Sequence, residues 1–110
     1  MGGTRKEKLA AELERQATLF FLDRAELPGT VLSVTRVEVS DDLQNVKIFF
    51  SVFPEEGAGR ILKEVYAAKK DFRYYLAQRI NTKFVPKIML LSDALAKKQQ
   101  RVEELLEKLK

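Results

Sequence analysis

Leu9, Leu13, Ala17 and the pair Phe20/Phe21 recur at four-residue spacing, a period that gathers them on one stripe of a helix of about 17 residues. Thr4-Arg5-Lys6-Glu7 stands just ahead of that stripe in the Ser/Thr-x-x-Glu form of a capping box, so the helix is expected to begin there. It should end before Pro28-Gly29. From Thr30 to Val39 the pattern changes, and Val31, Val34, Thr35, Val37 and Val39 favour a pleated, half-buried strand. The apolar phase runs through Leu32 and Val34 and then slips to Val37 and Val39. An alternating pattern changes parity in this way only where an extra residue intrudes, which predicts a bulge near Thr35-Arg36. Ser40-Asp41-Asp42 then reads as a turn. Beyond it Val46, Ile48, Phe50 and Val52 alternate with Lys47, Phe49, Ser51 and Phe53 in a second strand, hairpin-paired with the first. Phe49 and Phe53 lie on the second face of this strand, so part of that face is expected to be covered.

Pro54-Glu55-Glu56-Gly57 breaks the alternation, after which Ile61, Val65, Ala68, Phe72 and Leu76 step at three and four residues. This predicts helical structure for about twenty residues. Val85-Pro86 interrupts it, and Ile88-Met89-Leu90-Leu91 reads as a short, fully buried strand. Ser92 or Asp93 can cap a last helix whose stripe is Val102, Leu105/Leu106 and Leu109. Two hairpin strands and a third reached through a helical crossover make a three-stranded mixed sheet with helices on one face, an α+β architecture. Residues 5–110 form a single domain in this reading, behind a disordered tip at 1–4 whose Gly2-Gly3 is native or a cloning remnant.

Composition narrows the chemistry. The 110 residues include no Cys and no His, which excludes disulfides, thiolate nucleophiles, imidazole acid–base pairs and the common zinc sites. The doublets Asp41-Asp42 and Glu55-Glu56 sit beside Ser, Pro and Gly, where solvated turn residues are expected. No Gly-rich phosphate cradle is visible. The expectation is a protein without metal, cofactor or catalytic site; a magnesium-dependent enzyme built on Asp41-Asp42 is the rival reading. There is no secretory signal and no apolar run of the roughly 18 residues that a membrane helix needs, so a cytoplasmic protein with no membrane partner is expected.

The charge is placed rather than diffuse. Between Arg60 and Lys87 lie eight basic residues against two acidic ones, in a chain whose net charge is +4. Clustered Lys and Arg replace phosphate counterions, which makes a nucleic acid the leading partner; a solvated, Lys-rich helix face is the plainer alternative. On a straight helix Lys63, Tyr66, Lys70, Arg73 and Tyr74 fall opposite the apolar stripe. Basic groups with tyrosines between them suit irregular or single-stranded RNA, since Lys and Arg hold phosphates and a tyrosine ring stacks on an unpaired base.

The element order also resembles the type II KH domain, an RNA-binding fold with the order α-β-β-α-α-β, here followed by a further helix. The stretch Val37-Glu38-Val39-Ser40-Asp41-Asp42-Leu43-Gln44-Asn45-Val46-Lys47-Ile48-Phe49-Phe50-Ser51-Val52 closely resembles the hairpin of the ribosome-binding factor A family: a valine-rich strand, a Ser-x-Asp-Leu turn and a Lys-containing apolar strand. Arg73, Leu76, Val85-Pro86, Leu91–Asp93 and Arg101-Val102-Glu103-Glu104-Leu105-Leu106 fall at that family's spacings, so the similarity spans about residues 5 to 106. Two departures stand out. The family usually has an Ala-x-Gly kink between two helices, where this chain has Ala68-Lys69-Lys70, so a softened or absent kink is expected. Ahead of the first strand it tends to have Asp-Pro-x-Leu-Gly, where this chain has Ala25-Glu26-Leu27-Pro28-Gly29.

The resemblance implies a non-catalytic assembly factor that binds rRNA of the immature small ribosomal subunit, assists its late maturation, often with relevance to cold shock, and leaves with the help of an assembly GTPase. It implies an rRNA surface at Lys69, Lys70, Arg73, Arg79, Lys83 and Lys87, with Lys69 and Lys70 at an exposed elbow if the helix kinks. A monomer is expected. A protein–protein adaptor docking through the Phe49/Phe53 face and the last helix, or a generic KH-like RNA-binding module, is the alternative.

Overall fold

The computed structural model describes residues 4–22, 29–80, 82 and 84–109. Helix α1 (Arg5–Leu22) is followed by strands β1 (Val31–Val39) and β2 (Asn45–Phe53), a short 3-10 turn (Glu55–Gly57), helices α2 (Ala58–Ala67) and α3 (Lys69–Ala77), strand β3 (Lys87–Ser92) and helix α4 (Asp93–Lys108). The sheet order is β1-β2-β3, with β1 antiparallel and β3 parallel to the central strand. The α+β class, the mixed sheet and the element order are those expected. Residues 1–3 of the expected tip lie outside the described residues, as does the turn chemistry of 25–28, whereas Thr4, the last residue of that tip, stands at the start of α1.

Thr4 opens α1 by accepting the Glu7 amide on its hydroxyl (3.1 Å), which satisfies one of the orphan donors of the first turn. The predicted stripe Leu9, Leu13, Ala17, Phe20 and Phe21 is buried and packs with Val46, Ile48, Phe50 and Val52 of the sheet's inner face and with Ile61, Leu62, Val65, Phe72 and Leu76 of α2 and α3 in one core. Phe72 stands with its ring centroid 5.1 Å from those of both Phe20 and Phe21, and Phe21 meets Phe50 edge-on at 5.2 Å. One polar pair enters this region. The buried Gln16 accepts the Tyr75 hydroxyl (2.9 Å) and donates to Glu12 (2.9 Å), so its burial leaves no unmet hydrogen bond.

The parity slip in β1 has its expected cause. Pairing with β2 shifts between Val34 and Arg36, and the extra residue, Thr35, donates its hydroxyl to the Phe49 carbonyl (3.2 Å). The bulge returns Val37 and Val39 to the inner face. It also turns Arg36 onto the outer one, where its guanidinium lies 4.0 Å from the Phe49 ring centroid. Phe49 is thereby covered, whereas Phe53, farther along the strand, is 74% exposed.

Two expectations need correction. Strand β3 is not fully buried: Ile88, Leu90 and Ser92 point inward but Lys87 and Met89 are exposed, because β3 is an edge strand and α1, α2 and α3 cover only the inner face. The roughly twenty-residue helix is in fact two. Ala68 leaves helical geometry at φ −87°, ψ 2° and the chain resumes as α3 at Lys69, so the kink persists without its glycine. Its backbone stays at negative φ, which alanine adopts freely, and neither Ala68 nor Lys70 has positive φ. Glycine's conformational freedom is not required at this break.

The hairpin turn is held by side chains. Ser40 Oγ donates to Asp42 and accepts from the Asn45 amide (3.0 Å), Asp42 accepts the Gln44 amide (3.0 Å), and Leu43 takes φ 61° while packing against the core. The Ser40 hydroxyl and then the Gln44 amide hold the Asp42 carboxyl below the usual carboxylate range. A carboxyl depressed in the folded state stabilises the fold above its unfolded value, near pH 4, and loses that contribution as pH falls through the folded value. Asp42 is therefore expected to contribute to a fall in thermal midpoint as the pH drops below about 4. The Asp42→Asn variant is expected to be less stable than the parent at neutral pH and to lose less on acidification; parallel pH profiles for the two would count against this assignment.

Candidate nucleic-acid interface

Burial of Ile61, Val65, Phe72 and Leu76 fixes the rotation of α2 and α3 about their axes, so the residues opposite must face solvent. Lys63 and Tyr66 on α2, and Lys70, Arg73 and Tyr74 on α3, are all exposed. Lys69, the first residue of α3, is half-buried, so of the two elbow lysines only Lys70 projects fully.

The break at Ala68 separates what a straight helix would have aligned. Tyr66 lines a groove of about 340 Å³ between α4 and the outer face of the sheet, shared with Arg36, Phe49, Leu91 and Leu95. Tyr74 borders a different hollow of about 400 Å³, with Phe20, Asp71, Tyr75, Gln78 and Arg79. The two tyrosines therefore belong to different surfaces. Arg79 lies beyond the end of α3 with its guanidinium 3.7 Å from the Tyr75 ring centroid and Nη1 donating to the Tyr75 carbonyl (3.3 Å). It is exposed but pinned. Lys87 opens β3 on the outer face, lining a hollow with Lys47 and Met89, apart from the helices that pack on the inner face. Lys83 lies outside the described residues. Charges that read as one run along the sequence thus separate: Lys69, Lys70 and Arg73 stand at the elbow with Tyr74 beside them, Arg79 is pinned over Tyr75, and Lys87 lies apart with Lys47 of β2.

Sequence reasoning missed Tyr75, which orients both Gln16 and Arg79, and Phe84, whose ring is exposed beside a cleft lined by Arg5, Gln44 and Pro86. Tyr75 follows Tyr74 directly and gives no periodic signal of its own. Phe84 sits in the irregular segment before β3, where hydrophobic patterning carries no information. The acidic turn is structurally employed: Asp41 pairs with Lys6 (2.8 Å) and Asp42 with Ser40 and Gln44. Among the described residues no cluster of three or more acidic side chains is arranged to hold a metal ion.

With this geometry established, comparison with known proteins decides the family. The family model described as ribosome-binding factor A matches residues 5–106. The chain belongs to the ribosome-binding factor A family. It is 31% identical over 110 residues to the ribosome-binding factor A of Synechococcus sp. (strain JA-2-3B'a(2-13)), covering 96% of this chain and 76% of that one. To the Chlorobaculum parvum protein of the same name it is 30% identical over 105 residues, covering 93% and 88% respectively. Among solved structures, the crystal structure of ribosome-binding factor A from Thermus thermophilus superposes with a TM-score of 0.64 at 25% identity, over 79% of this chain and 93% of that one. A Thermotoga maritima protein solved by NMR shares the fold, with a TM-score of 0.62 at 24% identity, over 82% of this chain and 88% of its own. The fold is KH-like, as its element order implied. Measured against the family's usual Ala-x-Gly, the break at Ala68 keeps the kink while placing a cation, Lys70, where the family has glycine.

Neighbouring α3 residues should separate framework from surface. Phe72→Ala, which empties the space beside the Phe20 and Phe21 rings, is expected to cost about 3–5 kcal/mol in denaturant unfolding. Tyr74→Ala and Arg73→Glu, on the exposed face, are expected to change stability by less than about 0.5 kcal/mol each. A large loss from either surface change would show that the elbow face is packed rather than presented.

Proposed function

We propose that this chain binds rRNA of the immature small ribosomal subunit and assists its late maturation, acting through the elbow formed by α2 and α3. The observation that carries the reading is the fixed, outward presentation of Lys70, Arg73 and Tyr74 around the Ala68 break, in a member of a family named for ribosome binding. Cations on a rigid element hold phosphates, and a tyrosine beside them offers a stacking surface to an unpaired base. Lys69 and Arg79 extend the same surface at its edges. Lys63 adds an exposed cation on α2, Tyr66 offers a ring on the separate groove beside α4, and Lys87 supplies charge on the outer face of the sheet; Lys83 belongs to the same basic run of the sequence.

Such a factor works without catalysis. It favours whichever rRNA arrangement it binds more tightly, and it shifts the equilibrium only by that difference in affinity. Release then requires that the favoured arrangement disappear as maturation proceeds, a step we assign to an assembly GTPase. The setting is the cytoplasm, and a role at low temperature fits a factor that resolves misarranged RNA.

The direct test is co-sedimentation with purified small and large ribosomal subunits on gradients at two salt concentrations. Selective migration with the small subunit that weakens at higher salt is expected, because phosphate contacts release counterions. Because Lys69 is half-buried, the clean variant is Lys70→Glu combined with Arg73→Glu, expected to weaken binding at least about tenfold while moving the thermal midpoint by less than about 4 °C. Absence of association with either subunit at low salt would overturn the proposed function, and unchanged binding by the double variant would move the contact off the elbow.

A further inference from the structure

At the end of the molecule where β2 and β3 begin, three segments enclose a cleft of about 520 Å³, within the roughly 300–1,000 Å³ of small-ligand sites. The start of α1 is held to the hairpin turn by the Lys6–Asp41 ion pair (2.8 Å). The turn is held to β3 by the Lys87 amide, which donates to the Gln44 carbonyl (2.8 Å). The third wall is the segment ahead of β3, where Pro86 is buried and Phe84 is 76% exposed. Arg5 is the one cation among the described lining residues. Its guanidinium and the side-chain amide of Gln44 are exposed, and neither makes a hydrogen bond or ion pair among the described residues. Asp42, on the same wall as Gln44, accepts the Ser40 hydroxyl and the Gln44 amide on Oδ1, which leaves Oδ2 to accept from a ligand. An exposed aromatic ring, a cation and two neighbouring acceptors are the groups that recognise an unpaired nucleotide.

We propose that this cleft receives one unpaired guanine of an RNA strand. The base stacks on Phe84, Arg5 holds the adjacent phosphate, and Asp42 Oδ2 and the Gln44 side-chain oxygen accept from the Watson–Crick edge. The two acceptors select the base. Guanine alone of the four RNA bases has two adjacent donors on that edge, N1–H and the N2 amino group; adenine, cytosine and uracil set an acceptor beside their donor and leave one protein oxygen facing another lone pair. The single arginine selects a strand over a free nucleotide. One phosphodiester carries one negative charge, whereas a nucleoside di- or triphosphate calls for several cations or a Gly-rich cradle, and the Asp42 carboxylate repels the additional charge. The cleft is distinct from the elbow. It adjoins the starts of β2 and β3, whereas Tyr66, two residues before Ala68, lies beside Leu91 toward the other end of β3.

The inference rests on RNA being the partner under the proposed function, and its test is made without the ribosomal subunit. The isotope-labelled full chain is titrated with the nucleoside monophosphates of guanine, adenine, cytosine and uracil, and amide signals are followed by NMR. GMP is expected to shift the signals of Gln44 and Phe84 and to bind at least about threefold more tightly than the other three. Phe84→Ala, at an exposed position, should weaken GMP binding about fivefold or more. Gln44→Leu, which keeps the backbone bonds of the turn, should bring GMP down to the level of AMP. The pentanucleotide UUGUU should shift the same amides and bind at least about threefold more tightly than UUAUU. No shift at these amides up to about 10 mM GMP would overturn the proposal, as would equal shifts with inorganic phosphate alone. GMP binding that UUGUU does not reproduce would overturn the assignment to an RNA strand in favour of a free nucleotide. Failure of these titrations while the small subunit is still bound strikes the cleft alone, and guanine recognition without subunit association strikes the proposed function alone.

Discussion

The position of Phe72 is the constraint from which the rest of the molecule follows. Its ring stands about equally far from Phe20 and Phe21 of α1, and Phe21 in turn meets Phe50 of the central strand. A long helix could satisfy its own backbone in any rotation about its axis, but α3 can bury Phe72 and Leu76 in only one. Since side chains at i and i+4 share a helix face, that rotation turns Lys70, Arg73 and Tyr74 to solvent. The exposed cationic face is thus set from inside: core packing decides which cations are presented, and their own interactions contribute little to where they stand.

The opposite face of the sheet is organised by a cation. The bulge at Thr35 turns Arg36 outward over Phe49, where it meets Glu38 at 3.2 Å and lies 3.7 Å from Asp93. Lys97 approaches the other Asp93 oxygen at 3.2 Å. Asp93 follows Ser92, the N-cap whose hydroxyl accepts the Leu95 amide (3.2 Å), so the start of α4 is tied both to the strand it leaves and to the far strand of the sheet. A carboxylate in the first turn is also favoured by the helix dipole. One inserted residue in β1 therefore covers Phe49 and anchors a helix that begins more than fifty residues later.

What could be read in the sequence was whatever obeyed a period. The parity slip between Val34 and Val37 located the bulge because alternation has only two phases and an error of one is visible. Ser40-Asp41-Asp42 revealed its turn because Ser and Asp side chains bond nearby backbone amides, and Ser92 revealed its cap for the same reason. The break at Ala68 was legible only through the resemblance, which located a kink at Ala68-Lys69-Lys70, and not from the pattern of the residues. It occupies a negative-φ conformation open to any residue, and the apolar steps continue through it from Val65 to Phe72, so periodicity reads one helix where there are two. The basic run was legible as charge but not as a surface, because sequence proximity does not say that Lys87 joins Lys47 on the outer face or that Arg79 is pinned over Tyr75. Nor did the pattern of β3 show that one of its faces would be left uncovered.

The elbow and the last helix are mechanically separate consequences of this architecture. The elbow is rigid because α3 is packed along its length, whereas α4 is held at its first turn and its later residues are exposed. No residue is shared between the aromatic cluster that orients α3 and the Arg36–Asp93 contact that anchors α4, and energetic effects at sites without shared partners add rather than couple. Tyr66 is the nearest point of contact between the two systems, since it belongs to α2 yet lines the groove beside Leu95. A ligand on the elbow could alter α4 only by displacing that ring or bending the break at Ala68, and the buried neighbours on either side, Val65 and Phe72, resist the second movement. The fold therefore carries two surfaces of different chemistry, one cationic and fixed, the other apolar and projecting, each free to change by substitution without disturbing the other.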